Sequence, residues 1–130
     1  MTQPYELPSP FEAEAGTVFL HEPAGAKAGE LRAQLLDESY PKPFVIDDGK
    51  QRFLYFNVRL MQSAMALRTP NSLELRYTQK MMAFLLFHPR PKRIDLIGLG
   101  GGSLIKFCYH RLPGTQLTAV ELDPEVIALR

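Results

Sequence analysis

Residues 93–107 read RIDLIGLGGGSLIKF: an apolar run breaks into four glycines within the five positions 98–102 and resumes as a helix-forming stretch. Nothing else in the chain restricts its folding as sharply. Glycine loses more conformational freedom on ordering than any other residue, so a purely structural turn seldom carries four. A short buried strand entering such a loop, with a helix leaving it, opens a strand–helix–strand crossover. The second strand is expected at QLTAVEL, after the Pro113-Gly114 turn, and Asp123-Pro124 offers an N-cap with proline at the first position of a further helix. The carboxyl end of the first strand then meets the free N–H groups of a helix N-terminus, which favour polar or anionic ligands. Gly98 permits the sharp turn, and Gly100 lets a ligand approach the backbone. Gly101 and Gly102 widen that freedom, and Ser103 caps the helix or touches the ligand. Glu121 ends the second strand 23 positions after Gly98, where an acid accepts hydrogen bonds from both hydroxyls of an adenosine ribose. No Gly-Lys-Ser/Thr closes the loop, which argues against phosphoryl transfer. An adenosine cofactor is expected.

Upstream, PFVIDDGKQRFLYFN sets two β-rich runs around Asp48-Gly49, a hairpin signal. LMQSAMAL follows without clear periodicity. After Pro70, Asn71 or Ser72 is expected to cap a helix through LELRYTQKMMAFLLF. Its Leu73, Tyr77, Met81, Phe84 and Leu85 share one face, which predicts packing against a sheet, with Glu74, Arg76 and Lys80 outside. HPRPK ends that helix. Residues 1–40 read as an N-terminal arm, partly disordered unless it docks, in which GTVFL is a short strand and AGELRAQLLDE one helical stretch. The expected organisation is α/β: the arm, a β-hairpin module over 41–70, and over 71–130 the first half of a Rossmann-like nucleotide-binding domain with a parallel sheet.

The bulk properties narrow the function classes. A chain of 130 residues supports one modest domain with a real core. Its net charge of +1 predicts no broad attraction to nucleic acid or to an anionic membrane. No apolar run approaches the ~20 residues of a membrane span, and the acidic N-terminus lacks a secretory signal's basic and apolar regions. A cytoplasmic protein acting on a small-molecule nucleoside is expected. Cys108 lies among apolar helix residues and reads as core, and it fits a reducing compartment. His21, His88 and His110 have no ligand spacing, so no metal is expected. Asp47 and Asp48 read as turn residues, Arg52 and Arg59 as hairpin charges, and Met61, Met65, Met81 and Met82 as core. Ser63 and Ser103 lack a histidine in motif context for a nucleophilic role.

LIGLGGGSLIKF followed by TAVELDPEVI resembles the first two motifs of the spermidine synthase family, aminopropyltransferases on the class I S-adenosylmethionine-dependent methyltransferase fold. Leu96 stands where most methyltransferases of that fold carry an acid, as in the synthase branch. The upstream hairpin, Gln62 and the tyrosine-bearing segment resemble the family's hairpin domain and linking helix, so the resemblance covers about residues 43–130. It implies S-adenosylmethionine or its decarboxylated form at Gly98, Gly100, Gly101, Gly102, Ser103, Glu121 and Asp123, and a polyamine or donor contact at Gln62, Tyr77 and Gln79. Two departures follow. Gly101 replaces an aspartate that would hold the donor's ammonium, and Tyr77-Thr78-Gln79 lacks the carboxylate expected beside the tyrosine. The family's catalytic aspartate follows a later strand than any before Arg130, so no catalytic residue is assigned and the chain alone is expected to be inactive. Strand 93–98 would be central in the family's sheet, so its open edge predicts a homo-oligomer. The alternatives are a methyltransferase on the same scaffold, a catalytically silent nucleotide-binding or assembly module and, more weakly, a dehydrogenase.

Overall fold

Two sheets organise the chain in the computed structural model, which describes residues 4–129. Five strands pair antiparallel in sequence order: β1 (Tyr5–Pro8), β2 (Thr17–Leu20), β3 (Phe44–Asp47), β4 (Gln51–Asn57) and β5 (Leu60–Ala66). The helix α1 (Ala28–Leu36) lies between β2 and β3 in the chain. Beyond the sheet come α2 (Arg76–Met81), a 3₁₀ turn (Met82–Leu86), β6 (Arg93–Ile97), α3 (Ser103–Arg111), β7 (Gln116–Val120) and α4 (Pro124–Ala128). β6 and β7 pair in parallel from Arg93↔Gln116 to Ile97↔Val120, and α3 connects them as the expected crossover. The fold is α/β.

Alternation explains the larger sheet. In β2 Val18 and Leu20 point inward, and in β3 Phe44 and Ile46 do, each at 1% exposure or less. Leu31 and Leu35 of α1 close over this face with Leu7, Tyr40 and Tyr55. The Phe44 ring stacks on Tyr55 with centroids 5.4 Å apart and meets Tyr40 edge-on at 6.1 Å. Burying each of these large apolar side chains contributes about 1.5–3 kcal/mol. The buried hydroxyls are satisfied: Tyr40 donates to Glu22 and Tyr55 to Glu14. Asp47 and Asp48 build the hairpin turn, since their carboxylates accept the N–H groups of Gly49, Lys50 and Gln51.

Four expectations are corrected. Residues 1–40, read as an arm partly disordered unless it docks, form the expected strand at GTVFL (β2) and helix at AGELRAQLLDE (α1), but also supply the unforeseen β1, and the arm docks because β2 takes up the backbone partners that the edge of β3 offers from Phe44 to Asp47 (residues 1–3 lie outside the described part). The aperiodic LMQSAMAL forms β5, whose bulged register against β4 at Leu54, Tyr55 and Asn57 blurs the two-residue period. The long helix begins only at Arg76 and tightens to a 3₁₀ turn at Met82; Leu75, not Asn71 or Ser72, stands at its N-cap. Its apolar face is not packed against a sheet: Leu73 is buried, whereas Tyr77, Met81 and Phe84 are exposed, as is Met61. Finally, β6 is not a buried strand. Its residues alternate between exposed and half-buried, Ile97 is 98% exposed, and its one partner among the described residues is β7.

The two sheets meet where β5 approaches α3. Ser63 Oγ lies 3.1 Å from Ser103 Oγ, and the Ser103 hydroxyl also reaches the Ala64 carbonyl at 3.5 Å. A second tie, from His21 Nδ1 to Glu125 Oε2 at 2.6 Å, joins the end of β2 to α4. The first holds the start of α3, next to the glycine loop, against the antiparallel sheet.

Candidate functional site

The loop between β6 and α3 needs its glycines. Gly98, Gly100 and Gly102 have φ of +86°, +53° and +75°, a region that side chains enter only under strain. A Cβ added to Gly98 or Gly100 would meet no atom within 4 Å, so the backbone at those positions borders open space. That space is a cleft of about 350 Å³, within the ~300–1,000 Å³ typical of small-molecule sites. One wall is the loop from Leu96 to Gly101 with Ser103, Leu104 and Ile105; the other is formed by Phe56, Gln62, Ser63, Tyr77, Thr78 and Met81.

Glu121 closes the cleft at the tip of β7. Its Oε2 accepts the N–H of Leu99 at 2.8 Å and of Gly100 at 3.4 Å, and its Oε1 accepts the N–H of Leu122 at 2.9 Å and of Asp123 at 3.0 Å. The Asp123 N–H, followed by that of Leu99, holds the carboxyl below the usual carboxylate range against a weaker effect of desolvation. The side chain therefore clamps the turn after β6 to the turn after β7. A carboxylate offers about four acceptor positions, so four donors occupy it fully. The expectation that this acid accepts two ribose hydroxyls did not foresee these four bonds, of which the Gly100 contact is the longest.

The other residues singled out in the sequence divide. Gln62, Tyr77, Gly98, Gly100, Gly101, Ser103 and Glu121 all line the cleft. The Tyr77 hydroxyl donates to the Gln62 carbonyl at 3.1 Å, which draws α2 over the end of β5. Gly102, Asp123 and Gln79 are not among the lining residues. Gly102 is buried at the N-cap of α3. The Asp123 carboxylate accepts the Glu125 N–H at 2.9 Å and caps α4, with Pro124 at the first helical position. Gln79 Nε2 donates to the Leu73 carbonyl at 2.7 Å and so braces the segment before α2. Ser103 does not cap α3; its hydroxyl turns to Ser63 instead. Sequence reading weighed Ser63 only as a nucleophile and passed over Phe56 and Thr78. Only pairing of β5 with β4 brings Ser63 and Phe56 to this wall.

Away from the cleft, Cys108 is buried on α3 and desolvation pushes its thiol up, as befits a core residue. Arg52 pairs with Asp47 and Arg59 with Glu38.

The chain is 40% identical over 92 residues, 71% of its length, to a polyamine aminopropyltransferase of Chromobacterium violaceum. It is 40% identical over 91 residues to one of Neisseria meningitidis, and 44% identical over 50 residues to one of Vibrio vulnificus. The chain spans about 35% of the length of the first two. No protein-family model and no solved structure matches it.

Proposed function

Because the chain is homologous to the polyamine aminopropyltransferases over 71% of its length, we propose that its cleft binds the nucleoside part of decarboxylated S-adenosylmethionine or S-adenosylmethionine. The proposed reaction is the one that family name implies: transfer of an aminopropyl group to a polyamine. The observation that carries this reading is Glu121, a carboxylate at the tip of β7 beside the exposed backbone of Gly98 and Gly100. Ribose hydroxyls donating to Glu121 would take over from the long Gly100 bond, and the freed Gly100 N–H would face the ligand. The absent Cβ atoms at Gly98 and Gly100 leave room for that approach. Phe56, Met81, Leu96 and Ile105 supply apolar surface for a base. With Gln62 and Tyr77, these residues orient the nucleoside and exclude water from one side of it. The bound donor supplies a sulfonium whose adjacent methylene is attacked by a primary amine, releasing methylthioadenosine. In this reading β6, α3 and β7 are the opening unit of a class I methyltransferase-like sheet.

Calorimetric titration of the chain with methylthioadenosine, S-adenosylmethionine, decarboxylated S-adenosylmethionine and NAD tests the assignment. Binding of methylthioadenosine or of one of the two sulfonium nucleosides in preference to NAD, weakened in Glu121→Ala, is expected. Preference for NAD, or no binding by any of the four, would overturn it.

A further inference from the structure

The turn that carries Glu121 has little packing of its own. Val120 and Leu122, on either side of the glutamate, are both exposed, so apolar contact does little to fix its place. The turn is held from its flanks. Toward the glycine loop it has the bonds from Leu99 and Gly100, and toward α4 it has Asp123. Asp123 faces both ways: its N–H donates to Glu121 Oε1 at 3.0 Å, and its carboxylate accepts the Glu125 N–H at 2.9 Å. Its position therefore depends on where α4 begins.

α4 has five residues, too few to hold a helix in water without outside support. Support comes from Val126, which is fully buried, and from Glu125, whose Oε2 accepts a hydrogen bond from His21 Nδ1 at 2.6 Å. His21 is in turn built into the antiparallel sheet. It follows β2 directly, after the fully buried Leu20, and its carbonyl accepts the Lys42 ammonium at 3.1 Å. Lys42 also pairs with Glu22 at 3.0 Å, and the Tyr40 hydroxyl donates to the same carboxylate at 2.9 Å. His21 and Glu125 are both half-buried, so solvent and salt weaken their bond less than that of a surface pair.

We infer that His21 is a positioning residue for the nucleoside site: through Glu125 it pins the start of α4 to the antiparallel sheet, and so holds the Asp123 N–H on Glu121. The inference rests on the nucleoside reading above, and its test separates the two. It gives the first forty residues a part in binding, although none of those described lines the cleft.

The first arm needs no ligand. In His21→Ala, or in Glu125→Ala where that variant fails to fold, amide hydrogen exchange at Asp123 and Leu99 is expected to speed up by about threefold or more relative to amides of β3 and β4. Val18→Ala, which opens a cavity in β2 without touching the tie, should leave that ratio as in wild type. Unchanged relative protection of Asp123 without the His21–Glu125 bond would overturn the tie. The second arm titrates methylthioadenosine into the full chain by calorimetry. His21→Ala and Glu125→Ala are each expected to weaken binding by about three- to tenfold, the scale on which members of one hydrogen-bond network couple. The double variant should lose no more than the worse single, because both act through one bond. His21→Asn, with an amide nitrogen near the place of Nδ1, should recover most of the affinity, and Val18→Ala should keep it. Undiminished affinity in the single variants, additive losses, no recovery in His21→Asn, or an equal loss in Val18→Ala would overturn the positioning role while leaving nucleoside binding intact. Binding of no adenosine compound by wild type would overturn the nucleoside reading and the positioning role with it, while the exchange arm still reports on the tie.

Discussion

At the scale of single residues, Glu121 ties the local structure to the proposed chemistry. It accepts four backbone N–H groups from two loops, so removing it releases those bonds and deletes the proposed anchor for a ribose. Glu121→Ala is expected to weaken nucleoside binding by about ten- to a hundredfold, the equivalent of ~1.5–3 kcal/mol for hydrogen bonds to a charged group. Calorimetry that finds a folded variant with undiminished affinity would refute the ribose assignment. The same contacts set a pH dependence. Because the N–H bonds lower the carboxyl's pKa in the folded chain, they add stability that is complete above the ordinary carboxylate range. That stability fades as pH falls through the lowered folded value, because protonation removes the acceptor charge. Thermal melts of wild type and Glu121→Gln should therefore differ at neutral pH and converge in acid. A gap that stays constant down the pH scale would mean that the four bonds carry no charge-dependent stability. Glu121 was legible from its place at the end of an apolar run after the glycines. Its engagement with Leu99 and Asp123 was not, since those bonds depend on how two loops converge.

At the scale of elements, the glycine loop is shaped by backbone conformation on one side and by side-chain contact on the other. Gly100 sits at φ +53° with open cleft beyond its missing Cβ. A β-branched residue there is strained by the backbone and projects into the ligand's space, so Gly100→Val should abolish nucleoside binding even in a chain that keeps its circular-dichroism spectrum. Normal affinity in that variant would reduce the loop to a turn. The elements around the loop show what pattern reading can and cannot reach. β6, α3, β7 and the Asp123-Pro124 start of α4 follow from apolar runs, glycines and a capping pair, each acting within a few residues. α2 illustrates the reverse: the apolar spacing of Leu73, Tyr77, Met81 and Phe84 suits one long helix, yet the helix starts at Arg76 and gives way to a 3₁₀ turn. Without a sheet packed along that face, burial does not extend the helix beyond what its local bonds support.

For the whole molecule, apolar exposure is concentrated around the parallel pair. Ile97 and Leu122 are 98% and 97% exposed, and Leu86 and Phe87 are 81% and 88% exposed. Among the described residues, β6 pairs with β7 alone, which leaves its other edge open. Such a surface is costly in water and open to strand pairing, so the chain should self-associate in light scattering, and Ile97→Lys with Leu122→Lys should shift it toward monomer. A compact monomer before any substitution would contradict this. The chain is also expected to release methylthioadenosine from decarboxylated S-adenosylmethionine and putrescine only at the background rate. A positioned base typically contributes about 10²–10⁴-fold, and Glu121, the one carboxylate among the described residues lining the cleft, is committed to backbone N–H groups. Turnover well above background that disappears in Glu121→Ala would refute this expectation and mean that an unassigned residue supplies the base. By itself, the sequence determined the features written over short distances: the hairpin around Asp48-Gly49, the crossover from β6 to β7, the loop glycines and the acid that follows them. Tertiary structure alone decided that the first forty residues extend the antiparallel sheet, that Ser63 packs directly against Gly101, and that Asp123 and Gln79 serve the backbone. The physical reason is range. Propensity, capping and glycine conformations act between near neighbours, whereas strand pairing and the packing of β5 against α3 join residues some forty positions apart, and no local pattern encodes which of them will meet.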